Sequence, residues 1–376
     1  MLTIGIPAEI KNEERRVAAT PETVKKMVAL GCQVLVQQGA GVRASAPDAA
    51  YLAAGAELAS AHEVYQADVV LKVRAPEADE IKAMPAGAVL IGLLEPYNQT
   101  QLQTIAAQGL TAFALEALPR NSRAQSMDVL SSQANVAGYK AVLLASHFYQ
   151  RFMPMLMTSA GTVKAARVLV LGAGVAGLQA IATARRLGAV VEASDVRPAV
   201  KEQIESLGAK FLDVPYETEE EKECAAGVGG YARPMPASWM ARQAALVAQR
   251  AAEADIVISS ALIPGREPPT LIHAETVEKM KPGAVIIDMA AGTSKTGAGN
   301  CPLTEANEVV VKHGVTIVGY TNLPSLVAAD ASAFYARNIL EFLKLLIVEG
   351  KFNIPADDEL VAASLMCKDG QLTEKK

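Results

Sequence analysis

The sequence predicts an α/β chain of two domains built on parallel sheets, and three observations support this. The length of 376 residues exceeds the roughly 250–300 at which single hydrophobic cores stop growing. A composition 51% hydrophobic and only 20% charged describes a well-packed globular chain and excludes extended disorder. Short β-branched and leucine runs alternate with helical stretches, the pattern of buried parallel strands covered by helices.

Taken in order, Leu2–Pro7 reads as a strand, and Thr20 followed by Pro21 opens a helix with a cap and a first-turn proline. Gly31 ends that helix, and Gln33–Val36 is the next strand, before the turn at Gly39-Ala-Gly. A helical stretch runs from Asp48 to Ala54, followed by strands at Asp68–Val73, Val89–Leu94 and Thr111–Phe113. A long helix begins near Val136. Beyond it, strands fall at Arg167–Leu171, Val190–Ser194, Lys210–Leu212, Ile256–Ser259, Ala284–Asp288 and Thr316–Gly319. The apolar helix Ala333–Val348 then returns to the first domain. The expected division is therefore 1–135 plus 320–376, and 136–319. The two domains are joined by long helices and separated by a cleft, because the chain crosses between them twice.

Residues 167–195, RVLVLGAGVAGLQAIATARRLGAVVEASD, carry the most chemistry. They read as strand, glycine turn, helix, strand and terminal acid, the Rossmann-like dinucleotide-binding pattern. Gly172 permits the tight turn, Gly174 lets backbone approach a pyrophosphate, and Gly177 lets helix and strand pack closely. The helix that follows offers free N–H groups and a positive dipole end to phosphates. Asp195 is placed to accept hydrogen bonds from the adenine ribose diol and to repel a 2′-phosphate, which predicts NAD(H) over NADP(H). Arg197, two residues on, is a cation able to meet a 2′-phosphate, so cofactor choice is set less firmly than fold.

A net charge of −5 and a pI near 5.6 argue against nucleic acid as a partner. Cys32, Cys224, Cys301 and Cys367 form no CxxC pair, so no disulfide framework or metal site is indicated. His62, His147, His273 and His313 lie far apart and read as packing or surface residues. The N-terminus starts directly on a strand, without the apolar core of a signal peptide. The most apolar stretch, near Val136–Met157, is broken by Lys140, His147 and Arg151, so it reads as a buried helix, not a membrane span. The expectation is a cytoplasmic chain with no direct membrane insertion. Cys224–Pro236, glycine- and proline-rich around Tyr231, has the length and composition of a lid or a linker, with an exposed insertion as the alternative.

One further polar stretch, LPRNSRAQSMDVLSSQANVAGY (118–139), is ordinary in composition but informative in company. Together with GIPAEIKNEERRVAATPETV, VVLKVRAP, GGYAR, SSALIPGR, KPGAVIIDMA and TNLPSLVAADAS, it closely resembles the NAD(H)-binding component of proton-translocating nicotinamide nucleotide transhydrogenase, over nearly the whole chain. The resemblance implies that Arg120, Asp128 and Ser131 hold the nicotinamide end of the nucleotide. It places Gln125 between the two dinucleotides when a partner domain docks. Gly172, Gly174, Val175 and Gly177 would then position the pyrophosphate, while Asp195, Val196 and Arg197 surround the adenosine ribose. Gly230 and Tyr231 match a loop that closes over nucleotide, and Gln243 and Leu262 match further contacts. The catalytic assignment rests on Gln125 and Asp128, and no metal is implied. The family further implies a homodimer, an NADP(H)-binding subunit and a membrane-spanning subunit as partners, with the chain peripheral to the inner membrane through them.

Alanine dehydrogenase shares this fold and is the rival reading. It binds pyruvate through an Arg and a Lys and uses a His and an Asp for proton transfer. Arg16 and Lys72 match the first pair. The window VLIGLLEPYN (89–98) has no histidine, and MAAGTSKTGAGNC (289–301) has no acid. Without both groups most of the rate is lost, since general acid–base catalysis is worth about 10²–10⁴-fold. Arg16 and Lys72 are then expected as structural residues, ion-paired with Glu9, Glu13 or Glu14. The stretch Gly292–Gly299, with Lys295, departs from the shorter family pattern. A third reading is a non-catalytic NAD(H)-sensing module, since a chain with one dinucleotide site cannot run transhydrogenation alone.

Overall fold

The computed structural model describes residues 1–226, 235–262 and 266–373. The chain divides into two compact units, residues 1–133 with 324–376, and residues 134–323. Six strands open the first unit: β1 (Thr3–Ile6), β2 (Gln33–Gln37), β3 (Glu57–Ala59), β4 (Val69–Leu71), β5 (Val89–Gly92) and β6 (Thr111–Ala114). The second unit begins with a hairpin, β7 (Leu156–Thr158) and β8 (Gly161–Val163). It continues with β9 (Arg167–Leu171), β10 (Val190–Ser194), β11 (Lys210–Phe211), β12 (Ile256–Ser259), β13 (Val285–Asp288), β14 (Val309–Lys312) and β15 (Val315–Val318). The returning segment adds β16 (Ile347–Val348), β17 (Lys351–Phe352), β18 (Leu365–Lys368) and β19 (Gln371–Leu372).

The first sheet runs β3-β2-β1-β4-β5-β6-β18-β19, parallel as far as β6 and closed by two antiparallel strands. The second runs β11-β10-β9-β12-β13-β15-β14, parallel except for β14. In each, successive strands wind outward in one direction and then in the other from a central strand, the doubly wound order of an α/β nucleotide-binding fold. In the second sheet the reversal falls at β9, between β10 and β12, so the carboxyl end of β9 is where such folds hold ligands.

The sheets are buried because their strands are apolar on both faces: Val168–Leu171, Ile256–Ile258 and Val285–Ile287 are all nearly inaccessible. In the first unit the returning helix Ala328–Leu346 lays Tyr335, Ile339, Phe342, Leu343 and Leu346 into the core. Phe342 meets Phe113 of β6 edge-on at 5.6 Å, a geometry aromatic pairs favour.

The central strands lie within a residue or two of the sequence expectation, and β9, β10 and β12 match it end to end. Two long helices start earlier than expected. The helix placed near Val136 begins at Val129, and the returning helix begins at Ala328. Apolar density marks the middle of each helix, whereas the start of the first is set by the polar cap at Asp128. The short edge elements, among them β3, β14 and the strands after Leu346, carry too few residues to show a period.

Candidate dinucleotide site

β9 pairs with β10 in register, Leu171 opposite Ser194, which places Asp195 beside the glycine turn. Gly172 has φ +93°, a conformation side-chain-bearing residues resist. Its carbonyl accepts a hydrogen bond from Ser260 Oγ at 3.0 Å, which braces the turn from the end of β12. Gly174 caps the helix Val175–Arg186, and a Cβ there would meet nothing within 4 Å. The backbone at that helix N-terminus is therefore open, as close approach of a phosphate requires. Gly177 is different in kind: a Cβ would lie 1.9 Å from the Gly172 carbonyl oxygen, so only glycine fits. On the other side of the same helix, Gly138 lets the Ala176 carbonyl approach to a distance a Cβ would cut to 2.1 Å. These features fit a dinucleotide pyrophosphate.

The Asp195 carboxylate is engaged by neighbouring donors of this chain. Asp195 Oδ2 accepts from the Ala173 N–H at 2.8 Å and from Arg197 Nη2 at 3.0 Å. Asp195 Oδ1 accepts from the Arg197 N–H at 2.8 Å and from Arg197 Nε at 2.9 Å. Arg197 thus folds back on the acid two residues before it, a pairing that the order of residues alone does not announce. Val196 between them is half-buried. Gln243 is buried on the helix Ala237–Glu253, with Nε2 3.5 Å from Ser194 Oγ, at the outer limit of hydrogen bonding. Val175 and Leu262 are exposed. Gly230 and Tyr231 lie outside the described residues.

In the first unit, Arg120, Gln125 and Asp128 line one pocket of about 300 Å³ with Pro119, Asn121, Ser122 and Ala124. Arg120 and Gln125 are exposed, and Arg120 makes no hydrogen bond or ion pair with a described residue. Asp128 is the helix cap. Its carboxylate accepts from the Ser131 N–H at 2.8 Å and from Ser131 Oγ at 2.5 Å, so Asp128 and Ser131 act as a pair. The loop is pinned from far away in sequence. Asn338 Nδ2 donates to the Ser126 carbonyl at 2.7 Å, and Asn338 Oδ1 accepts from Ser132 Oγ at 2.7 Å. Arg123 forms a two-point ion pair with Asp358, which itself caps the helix Glu359–Ser364. Asn338 and Asp358 escape a reading of sequence because each acts across more than 200 residues.

Arg16 and Lys72 are both buried and both neutralised. Arg16 makes a two-point pair with Glu14 at 2.8 and 2.7 Å and donates to Gln133 Oε1 at 2.7 Å. Lys72 Nζ lies 2.6 Å from Glu80 and 3.3 Å from Glu9. Tyr65 donates its hydroxyl to the same Glu80 oxygen that Lys72 approaches. Burial pushes the Glu9 carboxyl up from its usual range, against the pull of Lys72. Neither cation is left for a substrate carboxylate. The expected partners Glu9 and Glu14 are the observed ones, Glu80 joins them unexpectedly, and Glu13 takes no part among the contacts of these two cations.

Asp288, fully buried at the end of β13, organises both ends of the loop that follows it. It accepts from the N–H groups of Ala290, Asn300 and Cys301 and from Thr304 Oγ1. Gly299 sits so close that a Cβ would lie 2.4 Å from Asp288 Oδ1. From that loop Asn300 Nδ2 donates to the carbonyls of Ala261 and Pro269 at 2.8 and 2.9 Å, bridging the segment that carries Leu262. Among the described residues no cluster of His, Cys, Asp or Glu could hold a metal, and no helix is long and apolar enough to cross a membrane.

Fold and turn together define a protein of the Rossmann-like, nicotinamide-nucleotide-binding class. Residues 5–137 match the family described as "Alanine dehydrogenase/PNT, N-terminal domain" and residues 141–375 its C-terminal domain. The chain belongs to the alanine dehydrogenase/PNT family. It is 49% identical to an NAD(P) transhydrogenase alpha-subunit chain of Rhodospirillum rubrum, over 99% of this chain and 97% of that protein. The crystal structure of a transhydrogenase from Sinorhizobium meliloti superposes with a TM-score of 0.85 at 45% identity, covering 98% of each chain. An L-alanine dehydrogenase structure is the more distant relative, with a TM-score of 0.79 at 26% identity over 99% of this chain and 96% of that one.

Proposed function

We propose that this chain is the NAD(H)-binding alpha-1 type subunit of a proton-translocating transhydrogenase. It would exchange hydride with NADP(H) held on a partner subunit, and a membrane-spanning subunit would couple that exchange to proton movement. The observation that carries the reading is the state of the two buried cations. Arg16 and Lys72, which an alanine dehydrogenase would turn toward pyruvate, are saturated by Glu14, Glu9 and Glu80, while the dinucleotide turn is intact. That pairing supports an acceptor carried by another protein. This also makes a pure sensor the weaker alternative, since the similarity runs to transhydrogenase subunits.

The nicotinamide supplies the hydride chemistry itself. The chain's residues bind and orient. The Gly172–Gly177 turn takes the pyrophosphate, and Asp195 and Val196 take the adenosine ribose, with Arg197 lying beside it. Arg120 and the Asp128–Ser131 pair take the nicotinamide end. Gln125 holds the spacing between donor and acceptor carbons, which must approach to roughly 3–3.5 Å with water excluded. Gly230, Tyr231, Gln243 and Leu262 complete the nucleotide contacts. The chain works as a homodimer at the cytoplasmic face of the inner membrane, held there by its partner subunits.

The test is an assay of the purified chain alone with NADH, pyruvate and ammonium. NADH binds but is not oxidised above background. Steady oxidation would return the chain to the alanine dehydrogenases.

A further inference from the structure

The geometry points to Arg197 as a specificity-determining residue that competes with the adenosine ribose for Asp195. The inference rests on the reading of Asp195 as the ribose acceptor and goes beyond it. A carboxylate offers about four acceptor positions. In Asp195 all four are taken, by the Ala173 N–H, the Arg197 N–H, Arg197 Nε and Arg197 Nη2. The two backbone donors belong to Ala173 in the glycine turn and to Arg197 itself, and they hold Asp195 in place whatever binds. The two guanidinium donors are side-chain contacts, with the Arg197 side chain 29% exposed and the Asp195 side chain 6%. A ribose diol brings two hydroxyl donors. It therefore replaces the guanidinium one for one, leaving Asp195 satisfied before and after.

The exchange acts on binding in two ways. Every NAD(H) that binds must first displace an internal charge-assisted pair, which lowers its affinity and speeds its release. The displaced guanidinium then lies beside the ribose, with the planar fork that pairs with phosphate oxygens. Arg197 thus opposes nucleotides with a free 2′-hydroxyl and favours those with a 2′-phosphate. It narrows the discrimination that Asp195 alone would give.

Dissociation constants of NADH and NADPH for the full-length chain, measured by calorimetry, test this with three variants. Arg197→Ala binds NADH more tightly, on the order of five-fold, the worth of a partly exposed ion pair, and binds NADPH more weakly. Arg197→Lys keeps the charge but not the fork; it also tightens NADH, while losing less NADPH affinity than the alanine variant. Asp195→Asn weakens NADH. Equal weakening of both nucleotides in Arg197→Ala, or no change in either, overturns the competition while Asp195 keeps its role. If Asp195→Asn leaves NADH affinity unchanged, the ribose assignment fails and the competition falls with it. Melting temperatures without nucleotide, within a few degrees of the wild type, establish that each variant is folded; NADH tightening in a folded Arg197→Ala supports the inference.

Discussion

Two glycines three residues apart do opposite work in the turn, and single substitutions separate them. Gly177 is sterically required, since a Cβ would overlap the Gly172 carbonyl. Gly177→Ala should cost about 1–3 kcal/mol of stability, as overpacking does, and should weaken NADH binding by displacing the turn. Gly174 has an ordinary φ of −74° and open space around it. Gly174→Ala should keep the wild-type denaturation midpoint and weaken only NADH, because the methyl group intrudes where phosphate approaches. Denaturation curves and NADH titrations of both variants check this; a destabilised Gly174→Ala would contradict it. Lys72 gives a pH-dependent case. Lys72→Met leaves Glu9 and Glu80 buried without their cation, a loss of about 3–5 kcal/mol. The Glu9 pKa is already raised above its unfolded value. Such a group's contribution is present below the unfolded pKa and is lost as pH rises through the folded one. The variant's deficit should therefore shrink as pH falls and Glu9 takes up its proton; a deficit independent of pH would contradict this.

At the scale of elements, the Arg120–Ser131 loop owes its shape to two returning helices. Asn338 holds it from Ala328–Leu346 and Asp358 from the cap of Glu359–Ser364. Asn338→Ala removes two hydrogen bonds from a nearly buried side chain, about 1–3 kcal/mol. Because the loop carries Gln125, the variant should lose hydride-exchange rate by more than it loses NADH affinity, and Gln125→Asn should show the same split more sharply. Equal loss of rate and affinity would make the loop a plain binding element. This region is legible in the sequence only in part. The polar cluster, the glycine turn and the apolar central strands all declare themselves by residue type or period. The bond from Ala173 to Asp195 depends on the register of β9 against β10, and the loop's anchors depend on contacts across more than 200 residues. No local pattern encodes either. The same limit explains why periodicity places the helix at Val129 too late: its signal is the Asp128 cap, which reads in sequence as one more polar loop residue.

At the scale of the whole molecule, the two doubly wound sheets are common to the family and do not choose between its activities. The first unit buries Arg16 and Lys72 and pairs them with its own glutamates. The second unit keeps an intact glycine turn. The most direct measurement mixes the purified chain with the NADP(H)-binding component and follows hydride exchange using an NAD analogue. The account predicts exchange that requires both proteins and falls in Gln125→Asn with NADH affinity nearly unchanged. Absence of exchange, with NADH oxidised instead by pyruvate and ammonium, would contradict it.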